Sequence, residues 1–364
     1  MRRGEEAMVP EAEFRSYYGQ PIIKVPIWHE PHMPLYLYLG GTSGAASVIS
    51  AVATVTGHDR LALTARVTAA AGAAAGAGFL VAELGRPERF LNMLRVFKPT
   101  SPMSVGSWLL AAHSGLTALA AASALAARPG PRIPAGSFLR APARSGLWVP
   151  ARSFSRIPVR PGPRTPVLPV RGARALAALG DAAALAAVVT GPLMSTYTAV
   201  LVADTAVPAW HEAHRELPFL FAGSALAGAG AVGMLATPRR EAGPARVTAI
   251  LGAAVETVAG AVMEHRLGLV GEPYRLGRSG RLMRTARALT VGGALLATVA
   301  GRDSALGALT ALSGLALTAG AVCTRFGVLA AGKASAADPK YTVVPQRERL
   351  EAGRAARVPA GEKS

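Results

Sequence analysis

Long apolar stretches alternate with short polar connections over most of this chain. Eight of them have roughly the 20 residues that a helix needs to cross the apolar part of a bilayer. The apolar runs are continuous and lack the period-two alternation of a membrane β-strand. The pattern therefore predicts eight transmembrane helices. Their approximate bounds are Leu35–Thr56, Leu61–Glu83, Val105–Ala127, Arg174–Ala203, Arg215–Ala236, Pro244–His265, Thr285–Gly301 and Ala305–Leu329.

The apolar stretches define a membrane domain at residues 35–329, which a polar segment at 1–34 precedes. Prolines recur between Pro21 and Pro34 and exclude a regular helix there, while Trp28 suits a membrane interface. No apolar core of a cleavable signal peptide is visible in this segment. We expect it to lie at the membrane surface.

Two further segments break the pattern. Residues 128–172 are rich in Pro and Arg and contain neither Asp nor Glu. Such a segment buries too little apolar surface to offset the entropy lost on ordering, so we predict a disordered loop insertion. Residues 330–364 are charged and without periodicity. We predict that they form a mobile tail.

Composition and charge agree with a membrane protein. Hydrophobic residues make up 51% of the 364 residues, and only 16% are charged, against roughly a quarter in soluble domains. The net charge of +18 comes from Lys and Arg lying mainly between the apolar runs and at the chain ends. This placement indicates contact with anionic lipid and not with nucleic acid. The single cysteine, Cys323, cannot ligate an iron–sulfur cluster alone.

Eight spans place both termini on one side of the membrane, here called side A. Side A also carries the connections at 84–104, 204–214 and 266–284, and the opposite face is side B. Apart from the 128–172 insertion, which lies on side B, Lys and Arg are concentrated on side A. The positive-inside rule then places side A and the termini in the cytoplasm, although the insertion argues the other way.

The connection between the second and third spans mixes charged and apolar residues. Such a mixture is typical of a short amphipathic element at a membrane surface. It is either a docking surface for a partner or an ordinary basic interfacial loop. Its charged residues are Arg86, Glu88, Arg89, Arg95 and Lys98.

Few ionisable residues lie inside the spans, and such residues are functional candidates because they are costly in a bilayer. A haem held between helices needs two axial ligands, yet only His113 lies well inside a span, so we predict no haem. Arg66, Asp181 and Glu256 form either a proton path or structural ion pairs.

Polar aromatic and titratable residues approach side A together. Tyr197 and His113 lie within about two turns of the side-A ends of their helices, while His29 and Glu30 enter from the same side. Phenol and imidazole groups can hydrogen-bond the carbonyls of a quinone and exchange its protons. The alternative is that each residue has a packing role only.

Several stretches resemble the NrfD/polysulfide reductase family of membrane subunits. The most specific is LGRPERFLNMLRVFKPTSPMSVGSW at Leu84–Trp108. The others are SYYGQPIIKVPIW at Ser16–Trp28, LYLYLGGTSGAAS at Leu35–Ser47, STYTAVLVADTAVPAW at Ser195–Trp210 and GEPYRLGRSGRLMRTARALTVGGALL at Gly271–Leu296.

The resemblance implies a subunit that binds menaquinone or ubiquinone and holds neither haem nor metal in its own chain. It implies a four-cluster ferredoxin-like iron–sulfur partner and a molybdopterin catalytic subunit, similar to polysulfide reductase or formate dehydrogenase complexes. By resemblance, the quinone pocket lies beside the first helix and a tyrosine of the fourth. That tyrosine matches Tyr197, and His29 and Glu30 correspond to the polar residues of the first helix.

We therefore predict an all-α, multi-pass protein of the cell membrane whose eight helices form two four-helix bundles. Its expected function is to exchange electrons between an iron–sulfur subunit and membrane quinone. A secondary transporter or proton-conducting protein is the alternative from another class, and a passive anchor without quinone activity is a further one.

Overall fold

The computed structural model describes residues 21–85, 87–126, 170–300 and 307–357, and all regular structure in these ranges is helical. The long helices are α1 His32–Val55, α2 Asp59–Glu83, α3 Pro102–Ala126, α4 Val170–Ala203, α6 Leu217–Ala236, α7 Gly243–Arg266, α9 Gly277–Ala300 and α10 Gly307–Ala337. The other helices are α5 Pro208–His211, α8 Glu272–Arg275, α11 Lys340–Arg357 and two 3-10 helices, Pro87–Leu94 and Gly268–Gly271.

Seven of the long helices in the described ranges have the length and hydropathy to cross a membrane. The eighth, α9, has 24 residues but a much lower mean hydropathy. Its first three turns carry four arginines, which extend the helix on side A ahead of the apolar run predicted from Thr285. The all-α polytopic fold is confirmed, and each predicted span coincides with one long helix. The arginines of α9 are Arg278, Arg281, Arg284 and Arg287.

The long helices pack as two groups of four, as predicted. Helices α1 to α4 form the first bundle, and α6, α7, α9 and α10 form the second. Helix α6 also packs against α1 and α4, which joins the bundles. Small residues allow close approach: a Cβ added at Gly44 of α1 would overlap the carbonyl oxygen of Gly191 on α4.

The two faces of the molecule differ. Because successive long helices alternate in direction, α5, α8, α11 and both 3-10 helices all lie on side A. In the described part of the chain, side B has only the turns at 56–58 and 237–242. Almost all of the predicted insertion at 128–172 falls outside the described residues, so its disorder stays a prediction.

The predicted C-terminal tail is helical as far as Arg357, and its first part is packed. Helix α10 continues to Ala337, and Tyr341 of α11 is 7% exposed. Lys340 Nζ donates to Glu272 Oε2 at 2.6 Å, which ties α11 to α8. Hydropathy detects apolar segments only. It does not predict α11, because that helix is held by polar contacts at the membrane surface.

Candidate functional site

Tyr197 of α4 lies between α1 and α3 near the side-A end of the first bundle. Its ring covers Gly106 of α3, where an added Cβ would overlap the phenol. Its hydroxyl interacts with that of Tyr36 on α1. Tyr36 is 1% exposed, whereas Tyr197 is only partly buried. The two hydroxyls of this tyrosine pair lie within an apolar cluster that includes Leu110 and Met194.

Glu83, the last residue of α2, faces two histidines. Its Oε1 accepts a hydrogen bond from the His29 backbone N–H at 2.8 Å and lies 3.4 Å from His29 Nδ1. Its Oε2 lies 3.7 Å from His32 Nδ1. The Glu83 side chain is 10% exposed and that of His29 is 70% exposed. This acid–histidine group therefore links a nearly buried carboxylate to solvent, as a proton relay requires.

The acid–histidine group lies on the side-A flank of the tyrosine pair. His32 precedes Tyr36 by one turn of α1, so the two side chains share a helix face. The His32 ring is 6.2 Å from the ring of Phe79, which lies one turn before Glu83 on α2. Sequence reasoning included His29 but omitted His32 and Glu83 from the site. The four-residue spacing of His32 and Tyr36 was the available signal.

Glu30 points to the second bundle instead. Arg278 Nη2 of α9 lies 2.5 Å from Glu30 Oε2, and Lys333 Nζ of α10 donates to the Trp28 carbonyl at 2.5 Å. Glu30 borders a cleft of about 610 Å³ whose other walls include Arg278, Lys333 and Tyr341. None of its polar contacts reaches Tyr197, so the structure does not join these two predicted site residues.

A second cleft lies on the other side of the N-terminal segment. Its volume is about 480 Å³, and its lining, from residues 23–28 and from 205–207 with Trp210, is mainly apolar. Trp28 stacks on Trp210 with ring centroids 5.2 Å apart, and Trp210 Nε1 donates to the Val328 carbonyl at 2.7 Å. Both clefts have the size of small-molecule sites.

His113 lies deeper and is fully buried. Its Nε2 is 3.0 Å from Ser43 Oγ, and its Nδ1 is 2.9 Å from Thr190 Oγ1. Thr190 precedes Tyr197 by seven residues on α4, which is about 10 Å along the helix. Both ring nitrogens therefore have partners within the first bundle, two turns below the tyrosine pair.

The three residues of the predicted proton path fall into two places. Arg66 of α2 and Asp181 of α4 form an ion pair of 2.7 Å near side B, in which the Asp181 side chain is 52% exposed. Glu256 lies in the second bundle, where it accepts a hydrogen bond from Thr324 Oγ1 at 2.5 Å. Beside it is Arg325, which is fully buried and which sequence reasoning missed.

The connection predicted to dock a partner contains the 3-10 helix Pro87–Leu94. Three apolar residues of this connection, Leu91, Val96 and Phe97, are 71%, 66% and 57% exposed. Trp108 supports it from α3 by an edge contact with Phe97. The charged residues Glu88, Arg89, Arg95 and Lys98 are all exposed, while Arg86 lies outside the described residues.

The fold and these contacts define a polytopic helical membrane protein whose interfacial helices and clefts lie at one face. The family model described as Polysulphide reductase, NrfD matches residues 23–270, more than half of the chain. The protein belongs to this family, whose members are membrane subunits of oxidoreductase complexes with iron–sulfur and catalytic subunits. A search of curated proteins found no match.

Proposed function

We propose that this protein anchors an oxidoreductase complex in the cell membrane and exchanges electrons between an iron–sulfur subunit and a membrane quinone. The observation that carries the proposal is the tyrosine pair beneath the acid–histidine group. Tyr197 meets Tyr36 over Gly106, and Glu83 links the same end of the bundle to solvent. Family membership supports the same role.

The donor set fits a menaquinone or ubiquinone head group. A bound quinone supplies two carbonyl oxygens that accept hydrogen bonds, and its reduction takes up two electrons and two protons. The partly exposed phenol of Tyr197 would donate a hydrogen bond to a bound quinone, and buried Tyr36 would fix the orientation of that phenol. Glu83 exchanges protons with solvent through His29 and His32. His113 stabilises the helices below through Ser43 and Thr190.

The partner docks on side A at the connection that holds the 3-10 helix. Exposed cations at Arg89, Arg95 and Lys98 surround exposed Leu91 and Phe97. This combination fits an acidic protein surface with an apolar centre, because charge guides the encounter and apolar burial stabilises the complex. We assign the partner as a four-cluster ferredoxin-like iron–sulfur subunit that serves a molybdopterin enzyme. Side A then faces the cytoplasm.

Replacing Tyr197 by Phe tests the proposal. The variant removes one hydroxyl and keeps the ring over Gly106, so the complex should assemble normally. We expect the quinone turnover of the purified complex to fall by about ten-fold or more, as for loss of a proton-transfer or oxyanion-type donor. Tyr341→Phe is the matched control, since it removes a phenol on side A that bonds Glu272 at 3.2 Å.

Other outcomes point to the alternatives. Unchanged turnover in Tyr197→Phe, with turnover present in the parent complex, contradicts the role of Tyr197. A parent complex without quinone turnover identifies a passive anchor. Solute or proton transport by the lone subunit in vesicles supports a transporter, for which broken helices at mid-membrane are the usual sign. Helix α4 continues through Pro192 without a break.

A further inference from the structure

Arg325 of α10 is a charged side chain with no exposure, set between the two bundles. Its Nη2 donates to the Phe221 carbonyl at 2.9 Å, and the guanidinium lies 3.7 Å from the centre of the Phe221 ring. Its Nε and Nη1 have no partner among the described residues. Unpaired N–H groups of a buried guanidinium are costly, so these two atoms indicate a ligand from outside the protein.

Glu256 of α7 is the negative group beside Arg325. It is 5% exposed and accepts hydrogen bonds from Thr324 at 2.5 Å and from Thr290 at 3.4 Å. The charges of Glu256 and Arg325 interact, yet no direct ion pair joins them within the described part of the protein. An ordered water molecule can bridge two charged groups that make no direct contact, by hydrogen-bonding to both.

Three buried hydroxyls around Arg325 have no hydrogen-bond partner within 3.5 Å among the described residues, although their neighbours Tyr38 and Glu256 interact with them. The hydroxyls belong to Thr42 of α1, Ser224 of α6 and Thr318 of α10. The phenol of Tyr38 lies beside Thr42 and Thr318. Buried polar groups without protein partners are commonly satisfied by ordered water. The orphan atoms therefore outline a hydrated centre at the junction of the bundles.

A small cavity connects Glu256 toward side A. Its volume is about 20 Å³, and it lies among Glu256, Thr290, Thr324 and, toward the surface, Arg287. This volume accommodates one water molecule. Arg287 Nη2 lies 2.5 Å from Glu264 Oε1, and the Arg287 side chain is 42% exposed. Glu264 is eight residues beyond Glu256 on α7, about 12 Å nearer side A.

We propose that Glu256 is a carboxyl that takes up and releases a proton at side A, through ordered water held by Arg325 and the surrounding hydroxyls. The charged and titratable groups that face it are Arg325 on α10 and Arg287 on α9, with Tyr38 of α1 beyond Arg325. Arg287 and Glu264 form the outer end of the route. This site is separate from the tyrosine pair, and it does not depend on the proposed exchange with quinone.

Labelling with dicyclohexylcarbodiimide tests whether Glu256 binds a proton, because this apolar reagent modifies protonated carboxyls in membranes. The full-length protein in its complex is treated between about pH 5 and about pH 9, and the adduct on the Glu256 peptide is measured by mass spectrometry. We expect an adduct at low pH that falls by about ten-fold per pH unit above the midpoint. Absence at every pH, or an adduct independent of pH, overturns the proposal.

Two variants keep this test sound. Glu256→Gln should abolish the adduct. Should that variant fail to fold, Thr324→Val retains the carboxyl but removes the hydroxyl that stabilises its ionised form. Labelling in Thr324→Val should then persist to higher pH than in the parent protein. An identical pH dependence contradicts the assignment of Thr324 and Glu256 to one protonation site.

Infrared spectroscopy tests access from side A. The carbonyl band of protonated Glu256 should shift when H2O is replaced by D2O. We expect Arg287→Leu to slow that shift by several-fold because it removes the outer polar wall of the cavity. Arg281→Leu is the control, since Arg281 is exposed on the same helix and does not line the cavity. Equal exchange rates in the two variants contradict the route through Arg287.

Discussion

His29 and Glu30 are neighbours in the chain but are held by opposite halves of the molecule. His29 contacts Glu83 of α2 in the first bundle, and Glu30 pairs with Arg278 of α9 in the second. The N-terminal segment thus lies across the junction of the bundles on side A. The sequence predicts one site for both residues, whereas in the structure His29 contacts the first bundle and Glu30 contacts the second.

This division predicts different effects for the two carboxylates. Glu83→Gln keeps an oxygen for the His29 backbone N–H but loses the charge that exchanges protons. We expect quinone turnover of the complex to fall by about ten-fold or more, with an altered pH profile. Glu30→Gln should have a much smaller effect, because Glu30 pairs with an exposed arginine. The reverse ranking would place the site in the cleft of about 610 Å³ beside Glu30.

Gly106→Ala should displace the Tyr197 ring. An added Cβ overlaps the phenol, and overpacking of this kind costs about 1–3 kcal/mol. We expect a lower thermal midpoint for the purified protein and reduced quinone turnover. Gly115→Ala is the control on the same helix, because a Cβ there meets open space. Equal stability of the two variants would contradict the close packing of α3 on Tyr197.

Charge reversal on the docking connection should weaken partner binding. In Arg89→Glu/Arg95→Glu we expect less iron–sulfur subunit to co-purify, and added salt should weaken the parent complex because screening reduces the attraction. Arg239→Glu/Arg240→Glu carries the same change of charge on side B and should leave co-purification unaltered. Retention of the partner by the Arg89/Arg95 variant would exclude this surface.

Glu256 and Arg325 should be energetically coupled. Removing one of two interacting buried charges leaves the other less compensated, which destabilises the fold. We expect Glu256→Gln and Arg325→Met each to destabilise the protein in detergent-denaturation measurements. The double variant should be more stable than the sum of the single effects implies. Additive effects would show that the two groups do not interact.

The contact between α8 and α11 should depend on pH. The hydrogen bond and charge of Lys340 lower the pKa of Glu272, and the same contact raises the pKa of Lys340. The stability from Glu272 is therefore complete above its unfolded pKa of about 4.3 and is lost as pH falls through the lowered folded value. Hydrogen exchange of α11 should increase in that acidic range. Lys340→Gln should remove the dependence, whereas Glu351→Gln should not.

Hydropathy predicted the eight long helices because a bilayer requires every backbone polar group to be satisfied within the helix. It did not predict α11, whose attachment depends on Lys340 and Tyr341 meeting Glu272. Arg325 escaped notice because one arginine scarcely alters the hydropathy of a 31-residue helix. The sequence also does not show that the carbonyl of Phe221 on α6 accepts a hydrogen bond from Arg325.

Tyr197 could be selected from the sequence by its depth and its family motif, but its surroundings could not. The role of Gly106 depends on how closely α3 approaches α4. The approach of Glu83 to His29 and His32 depends on how the N-terminal segment crosses the bundle end. Both are properties of tertiary packing, and they determine which polar residues share a site.

The burial of Arg325 also constrains how the chain enters the membrane during synthesis. An arginine at the centre of a lone helix opposes insertion by about 2.5–3.5 kcal/mol, and α9 adds four arginines near its own start. Arg325 finds its acceptor and aromatic partner at Phe221 of α6. The ribosome releases α6 first, so α10 inserts against a helix already in place. We therefore expect α10 to insert more efficiently when α6 is present in the membrane than when it is expressed alone.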